Sequence, residues 1–195
     1  GIEVINPLAQ VANTYNDYSL NKISGNFNLT ADFAEYFTAT ARIGFNTSGD
    51  KNKSFSKIVD YGGKVFDITR SSVYQAKEKH SDYTFDAFAN YERRFEEIHH
   101  VTVTLGTSMF QTWGDHLSAT GFDVPNNSWD FADIGLADGI SETKSAGSWV
   151  YDLRRQSFFG RLQYDYKGKY LLSAMLRRDA STRFDRNSRQ NVLSY

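Results

Sequence analysis

KISGNFNLTADF, residues 22–33, alternates without a break. Ile23, Gly25, Phe27, Leu29, Ala31 and Phe33 fall on one parity, and Lys22, Ser24, Asn26, Asn28, Thr30 and Asp32 on the other. Successive side chains of an extended strand point to opposite faces, so a period of two makes this a β-strand with one apolar and one polar face. After a break at Ala34-Glu35 the rhythm resumes. Phe37, Ala39, Ala41, Ile43 and Phe45 oppose Thr38, Thr40, Arg42, Gly44 and Asn46, which makes the two runs a hairpin.

The pattern recurs in two further pairs. Tyr83, Phe85, Ala87, Ala89 and Tyr91 are followed across Glu96-Glu97-Ile98-His99 by Val101, Val103, Leu105 and Met109. Phe158, Gly160, Leu162, Tyr164 and Tyr166 are followed across Lys167-Gly168-Lys169 by Tyr170, Leu172, Ala174 and Leu176. The reading is all-β, with antiparallel hairpins over about 21–47, 82–110 and 155–181 in one structural unit, 1–195. Each strand runs about 10 to 13 residues, enough for the 9 to 11 that cross a bilayer at a tilt of about 45°. Tight turns alternate with long connections, residues 47–81 and 111–152, as in a transmembrane β-barrel with short periplasmic turns and long outer loops. Phe33, Tyr36, Phe37, Tyr91, Phe95, Tyr166 and Tyr170 gather beside the tight turns, where an interfacial aromatic girdle belongs. Within the second connection's predecessor, SSVYQAKEKH fits either a short helix or an extended hairpin.

A soluble β-sandwich also alternates, with each apolar face packed on a second sheet. Gly25, Ala31, Ala39, Ala41, Ala87, Ala89 and Ala174 on the apolar faces favour lipid over an interior that must be filled. Excised from a barrel, such a sheet is expected to pack as a sandwich or to self-associate, because its edges are unpaired and its apolar face has lost its solvent.

Composition narrows the function. Basic and acidic residues number 22 and 23, so the positive footprint of a nucleic-acid binder is absent. With no cysteine there is no disulfide, thiolate metal site or thiol nucleophile. No apolar run reaches the roughly 20 residues of a spanning helix. GIEVINPLAQ is not an export signal, so an outer-membrane chain starting there is expected to lack its own beginning.

Three strings resemble the SusC/RagA class of TonB-linked outer-membrane receptors: NPLAQVANTYND at 7–18, VPNNSWDF at 124–131 and SFFGRLQYDYKGKYLLSAMLRRDASTRF at 157–184. The last carries the Phe-Gly-Arg strand, the tyrosine-rich turn and the Arg-Asp-x-Ser/Thr-x-Arg-Phe sequel in family order. Ala180 and Asp185 stand where the family often has glycine. The resemblance implies a piece from the middle of a closed barrel of about 22 strands, with plug and TonB box absent from this piece. It further implies uptake of oligosaccharides or peptides at the bacterial cell outer membrane, energy from TonB, ExbB and ExbD, and a SusD-like surface lipoprotein as partner. No enzyme activity and no cofactor are expected.

Candidate ligand-binding residues are Trp113, Asp115, His116, Phe122, Asn126, Asn127 and Trp129 in the longest connection, which also holds Phe131 and Trp149. Such a mixture stacks on sugar rings and hydrogen-bonds hydroxyls; the plainer reading is a loop packing its own aromatics. Arg42, Glu92, Arg161 and Asp179 are expected to face the lumen, chiefly in wall ion pairs. His99-His100 offers adjacent residues rather than a metal-ligand spacing. Asp115, His116 and Ser118 lack a nucleophile elbow. Asp130, Asp133, Asp138 and Glu142 show no calcium-loop spacing, and the solvated reading is preferred for all three groups.

Overall fold

The computed structural model describes residues 7–62, 67–140 and 144–185, with side chains to residue 182. A short helix, α1 (Pro7–Ala12), opens the described chain. Asn13 Nδ2 donates to Ala9 O and Thr14 Oγ1 to Gln10 O, each at 2.8 Å, which satisfies carbonyls the helix end leaves free. Six strands follow: β1 (Thr14–Ala34), β2 (Phe37–Ser56), β3 (Ser72–Phe95), β4 (His99–Phe122), β5 (Ser145–Tyr166) and β6 (Tyr170–Asp185). They form one antiparallel sheet in chain order, β1-β2-β3-β4-β5-β6, the open wall of a barrel. Among the described residues no second sheet covers it.

The strands are longer than alternation predicts. They run 16 to 24 residues, and the long connections shrink to residues 57–71 and 123–144. Segments such as NTSGDKNKSFS and SVYQAKEKH carry polar residues on both parities, so their strand state leaves no apolar period to read. The ladder of backbone hydrogen bonds holds them extended, with Phe55 and Val73 buried along them.

Packing divides the chain into two units. One comprises Lys22–Thr47, His80–Gly114 and Val150–Tyr195 and contains all three tight turns. Its apolar parity is exposed: Ile23, Leu105 and Leu176 are 68%, 62% and 83% accessible. Its other parity is laced by cross-strand hydrogen bonds. Thr38 donates to Asp32 at 2.8 Å, Thr104 to Asn90 at 2.7 Å and Asn46 to Asp82 at 3.2 Å. Beside the turns the rings touch, Phe33 on Phe37 at 5.6 Å and Phe37 on Tyr91 at 4.8 Å. The third turn uses left-handed Lys167 (φ 56) and Gly168 (φ 65), and Gly168 N–H donates to Asp165 Oδ1 at 2.8 Å.

The other unit, Gly1–Asn21, Ser48–Lys79 and Asp115–Trp149, holds the described parts of both outer connections. Its small core is Phe55, Val73, Val124, Ala132 and Ala137, with Tyr15, Trp129 and Ile134 packed against it.

Candidate functional site in the outer connections

The β4–β5 connection is a built structure. It makes three 3-10 turns, Pro125–Asn127, Trp129–Phe131 and Ile134–Leu136. Ser128 Oγ accepts from Asp130 N–H and Asp133 Oδ1 from Gly135 N–H, capping the second and third turns. The Gly135 amide, then Gln75 and the charge of Lys53, hold the Asp133 carboxyl below the usual carboxylate range. The backbone closes on itself through Asp138 N–H to Asp123 O at 3.2 Å and Gly139 N–H to Phe122 O at 3.1 Å.

Both outer connections are tied together. Asp123 N–H reaches Ser71 O at 3.0 Å and Val124 N–H reaches the buried Ser71 Oγ at 2.9 Å. The Asn127 amide brackets Ile58, accepting from its N–H at 2.8 Å and donating to its carbonyl at 3.1 Å. Arg70 forms a two-pronged pair with Asp123, its Nε donating at 2.8 Å and its second nitrogen completing the fork. That bonding pushes the Asp123 carboxyl down and the Arg70 guanidinium up. Gly121 sits where the third turn meets β4: a Cβ there would lie 2.7 Å from Ala137 Cβ.

A cavity of about 490 Å³ opens beside this core. Asn13, Asn16, Asn52 and Ser54 supply amides and a hydroxyl, and Tyr15, Tyr61 and Tyr74 supply rings. Among the described residues, no lysine, arginine, aspartate or glutamate lines it. Asn52 Oδ1 is buried without a hydrogen-bond partner among the described residues, an unusual state for a buried acceptor. Neutral amides, hydroxyls and ring faces suit an uncharged ligand with its own N–H or O–H donors, such as a sugar or a peptide backbone.

The residues expected from the sequence to bind ligand do not share one place. Phe122, Asn126, Asn127 and Trp129 do lie in or beside the β4–β5 connection. Trp113, Asp115 and His116 stand on β4 and Trp149 on β5, so the expectation that these four belong to the connection is corrected by the longer strands. Trp129 already has Tyr15 stacked at 5.8 Å and the Lys53 ammonium 4.3 Å from its centroid. Arg70 covers Phe122 at 4.9 Å, and Asn126 is exposed in the left-handed region (φ 56). His116 stacks on Trp149 at 5.4 Å and 7°. Its Nδ1 lies 3.4 Å from Glu78 Oε2, in ion-pair range but off the line of a hydrogen bond. Trp113 meets Tyr83 edge-on at 6.2 Å in the turn-bearing unit, and Asp115 is exposed.

Arg42, Glu92, Arg161 and Asp179 all lie in the turn-bearing unit, at positions of the polar parity. The Arg42 guanidinium sits over Phe88 at 5.2 Å, and Glu92 Oε1 accepts from His100 Nε2 at 2.8 Å. Asp179 accepts from Arg177 at 2.9 Å, and Arg161 stands opposite Met175. His99 and His100 diverge because they are consecutive strand residues: His99 joins Tyr164, at 2.7 Å, and His100 joins Glu92. Among the described residues no three His, Cys, Asp or Glu side chains gather as a metal group, and Glu142 lies outside the described residues. Sequence reading missed Asn13, in the turn before β1, and Asn16, Asn52 and Tyr74, since polar residues on the same strand parity carry no signal until the strands are paired.

No family model matches the chain. Among curated proteins it is 27% identical over 185 residues to TonB-dependent receptor P39 of Formosa agariphila, covering 93% of this chain and 17% of that receptor. TonB-dependent receptor P26 of the same organism is 29% identical over 94 residues, 48% of this chain and 9% of the relative. Solved structures of the RagAB peptide transporter and of the RagAB peptide importer in its closed-closed state superpose with TM-scores of 0.78 and 0.77. They share 14% and 16% identity, over 88% and 93% of this chain and 19% and 20% of theirs. At that identity they establish the wall fold, and the chain spans under a fifth of the length of the curated receptors it matches. Along almost its whole length, the chain is a stretch of β-barrel wall similar to that of TonB-dependent receptors.

Proposed function

We propose that this chain forms part of the wall and outer loops of a TonB-dependent outer-membrane transporter that takes up oligosaccharides or peptides with a SusD-like lipoprotein. The observation that carries the reading is the two-sided sheet. One parity is apolar and exposed, while the other is hydrogen-bonded strand to strand, as lipid outside and a wet lumen inside require. On this reading Arg42, Glu92, Arg161 and Asp179 line the lumen, and the neutral cavity beside Asn52 receives the solute at the outer mouth. The wall binds and guides solute, and TonB, ExbB and ExbD act through other parts of the full protein. The amides, hydroxyls and rings that the described residues give the cavity favour a neutral glycan or a peptide main chain over an anionic substrate.

The test is fractionation of the full-length protein followed by uptake assays in a deletion strain supplied with oligosaccharide or peptide mixtures. Retention in carbonate-washed outer membranes, with loss of uptake of one class, is expected. Release into the soluble fraction would sink the reading in favour of a soluble carbohydrate-binding module. Asn52→Ala should lower uptake affinity while leaving the amount of protein in the membrane unchanged.

A further inference from the structure

At Gly106 on β4, Phe88 from β3 and Phe159 from β5 close over a residue without a side chain. Eight residues on along β4, and eight back along β3 and β5, stand Gly114, His80 and Tyr151. An even step keeps each of them on the same face, so the row repeats there with an imidazole and a phenol in place of the phenyl rings. Gly114 is buried, and β4 lies between β3 and β5 in the sheet. The His80 and Tyr151 rings nevertheless stand only 5.9 Å apart, with His80 Nδ1 hydrogen-bonded to the Tyr151 hydroxyl.

Asp82 follows His80 by two residues on β3 and shares its face. Its Oδ2 lies 3.3 Å from His80 Nε2, and no hydrogen bond joins the two among the described residues. With Nδ1–H donating to the Tyr151 oxygen, Nε2 carries a lone pair, and two electron-rich atoms face one another. A cation between them turns that opposition into attraction. Two donors each about 2.0–2.1 Å from one tetrahedral ion stand roughly 3.3 Å apart, which is the spacing of this pair. Asn46 on β2 brings a third group. Its Nδ2 donates to Asp82 Oδ2 at 3.2 Å, while its Oδ1 is buried with no hydrogen-bond partner among the described residues. A half-turn of the amide exchanges the two atoms and sets the carbonyl oxygen beside Asp82. Asn46, His80, Asp82 and Tyr151 all belong to the turn-bearing unit, and the His80 and Asp82 side chains are 41% and 26% exposed, within reach of a dissolved ion.

We infer that His80 Nε2, Asp82 Oδ2 and Asn46 Oδ1 bind a divalent transition-metal ion of the zinc type, with water in the remaining position. One imidazole nitrogen and two oxygens suit such an ion over Mg²⁺, which dehydrates reluctantly and prefers oxygen alone. Tyr151 holds the imidazole by its other nitrogen, as the outer partners of histidine ligands do.

Zn²⁺ and Mg²⁺ are titrated by calorimetry into the detergent-purified full-length protein after chelator treatment, and heat-modifiable migration checks that each variant is folded. Saturable Zn²⁺ binding is expected, weakened at least about tenfold in H80Q and in D82N, and about tenfold in Y151F, which leaves all three ligands in place. N46D should tighten binding by adding a ligand charge, a gain that a misfolded variant cannot give. Lack of saturable Zn²⁺ binding, equal Zn²⁺ affinity in the H80Q/D82N double variant, displacement of Zn²⁺ by equimolar Mg²⁺, or N46D binding no tighter than the parent would each overturn the inference.

Discussion

Gly106 shows how closely the polar face is packed. A Cβ at this position would stand 2.5 Å from Phe159 Cζ, 2.7 Å from Phe88 Cβ and 2.9 Å from Ala87 O. The ring tip of Phe159 can swing, but a Cβ and a backbone oxygen on the adjacent strand cannot move without the strand. Glycine here lets Phe88 and Phe159 close over β4 from both sides, and Arg42 then rides on Phe88. Gly106→Ala should therefore destabilise the folded barrel by about 1–3 kcal/mol, the usual cost of overpacking. Urea unfolding of the full-length protein in detergent measures it. Gly25 is the control, because the three atoms nearest its added Cβ would all belong to the Phe45 ring, Cε1 and Cζ at 2.8 Å each. Phe45 is half exposed and can turn aside, so Gly25→Ala should be close to neutral.

The connection between β4 and β5 behaves as an element in its own right, anchored by the Arg70–Asp123 fork, the Ser71 contacts and the Asn127 bracket. Its pH response follows from the first of these. Hydrogen bonding and charge from Arg70 lower the folded-state pKa of Asp123. A group depressed on folding contributes its stabilisation in full above its unfolded pKa and loses it as pH falls through the folded value. The anchor should hold at neutral and mildly acidic pH and loosen only below about pH 4, the ordinary carboxylate value. Hydrogen exchange at the Val124 amide across that range is the measurement. Asp123→Asn should raise exchange at neutral pH and abolish the acid step. Little of this element was legible beforehand. PNNSWDF gave aromatics and amides together, but their partners, Ile58 with Asn127 and Tyr15 with Trp129, come from 69 and 114 residues away, a pairing that periodicity cannot supply. The hairpins were legible because an apolar face repeats every second residue. Where β2 and β3 leave the apolar band, as at Lys51 and Lys77, both parities turn polar and the strand signal disappears.

At the scale of the whole molecule, the two faces of one sheet differ in chemistry. Ile23, Phe27, Leu29, Leu105, Phe158, Leu162 and Leu176 form an apolar surface that no described residue covers, and the strands beneath it have no second sheet to pack against. Water would make such a surface associate; hydrocarbon leaves it content. The parity rule then gives a paired test on adjacent residues. Leu105 and Thr104 are neighbours in β4, yet Leu105 is 62% exposed on the apolar face, whereas Thr104 donates to Asn90 on the polar face. Leu105→Arg should cost about 2–4 kcal/mol, the range for a basic side chain on the lipid face near the midplane. The folded, heat-modifiable form recovered from outer membranes should fall accordingly. Thr104→Arg loses one hydrogen bond, roughly 0.5–1.5 kcal/mol, and should assemble nearly as well as the parent. Equal damage from both would mean that both faces are packed by protein, and a β-sandwich would then explain the alternation better than a membrane wall. Damage confined to Leu105→Arg is the outcome expected of lipid on that side of the strand and a polar, hydrated space on the other.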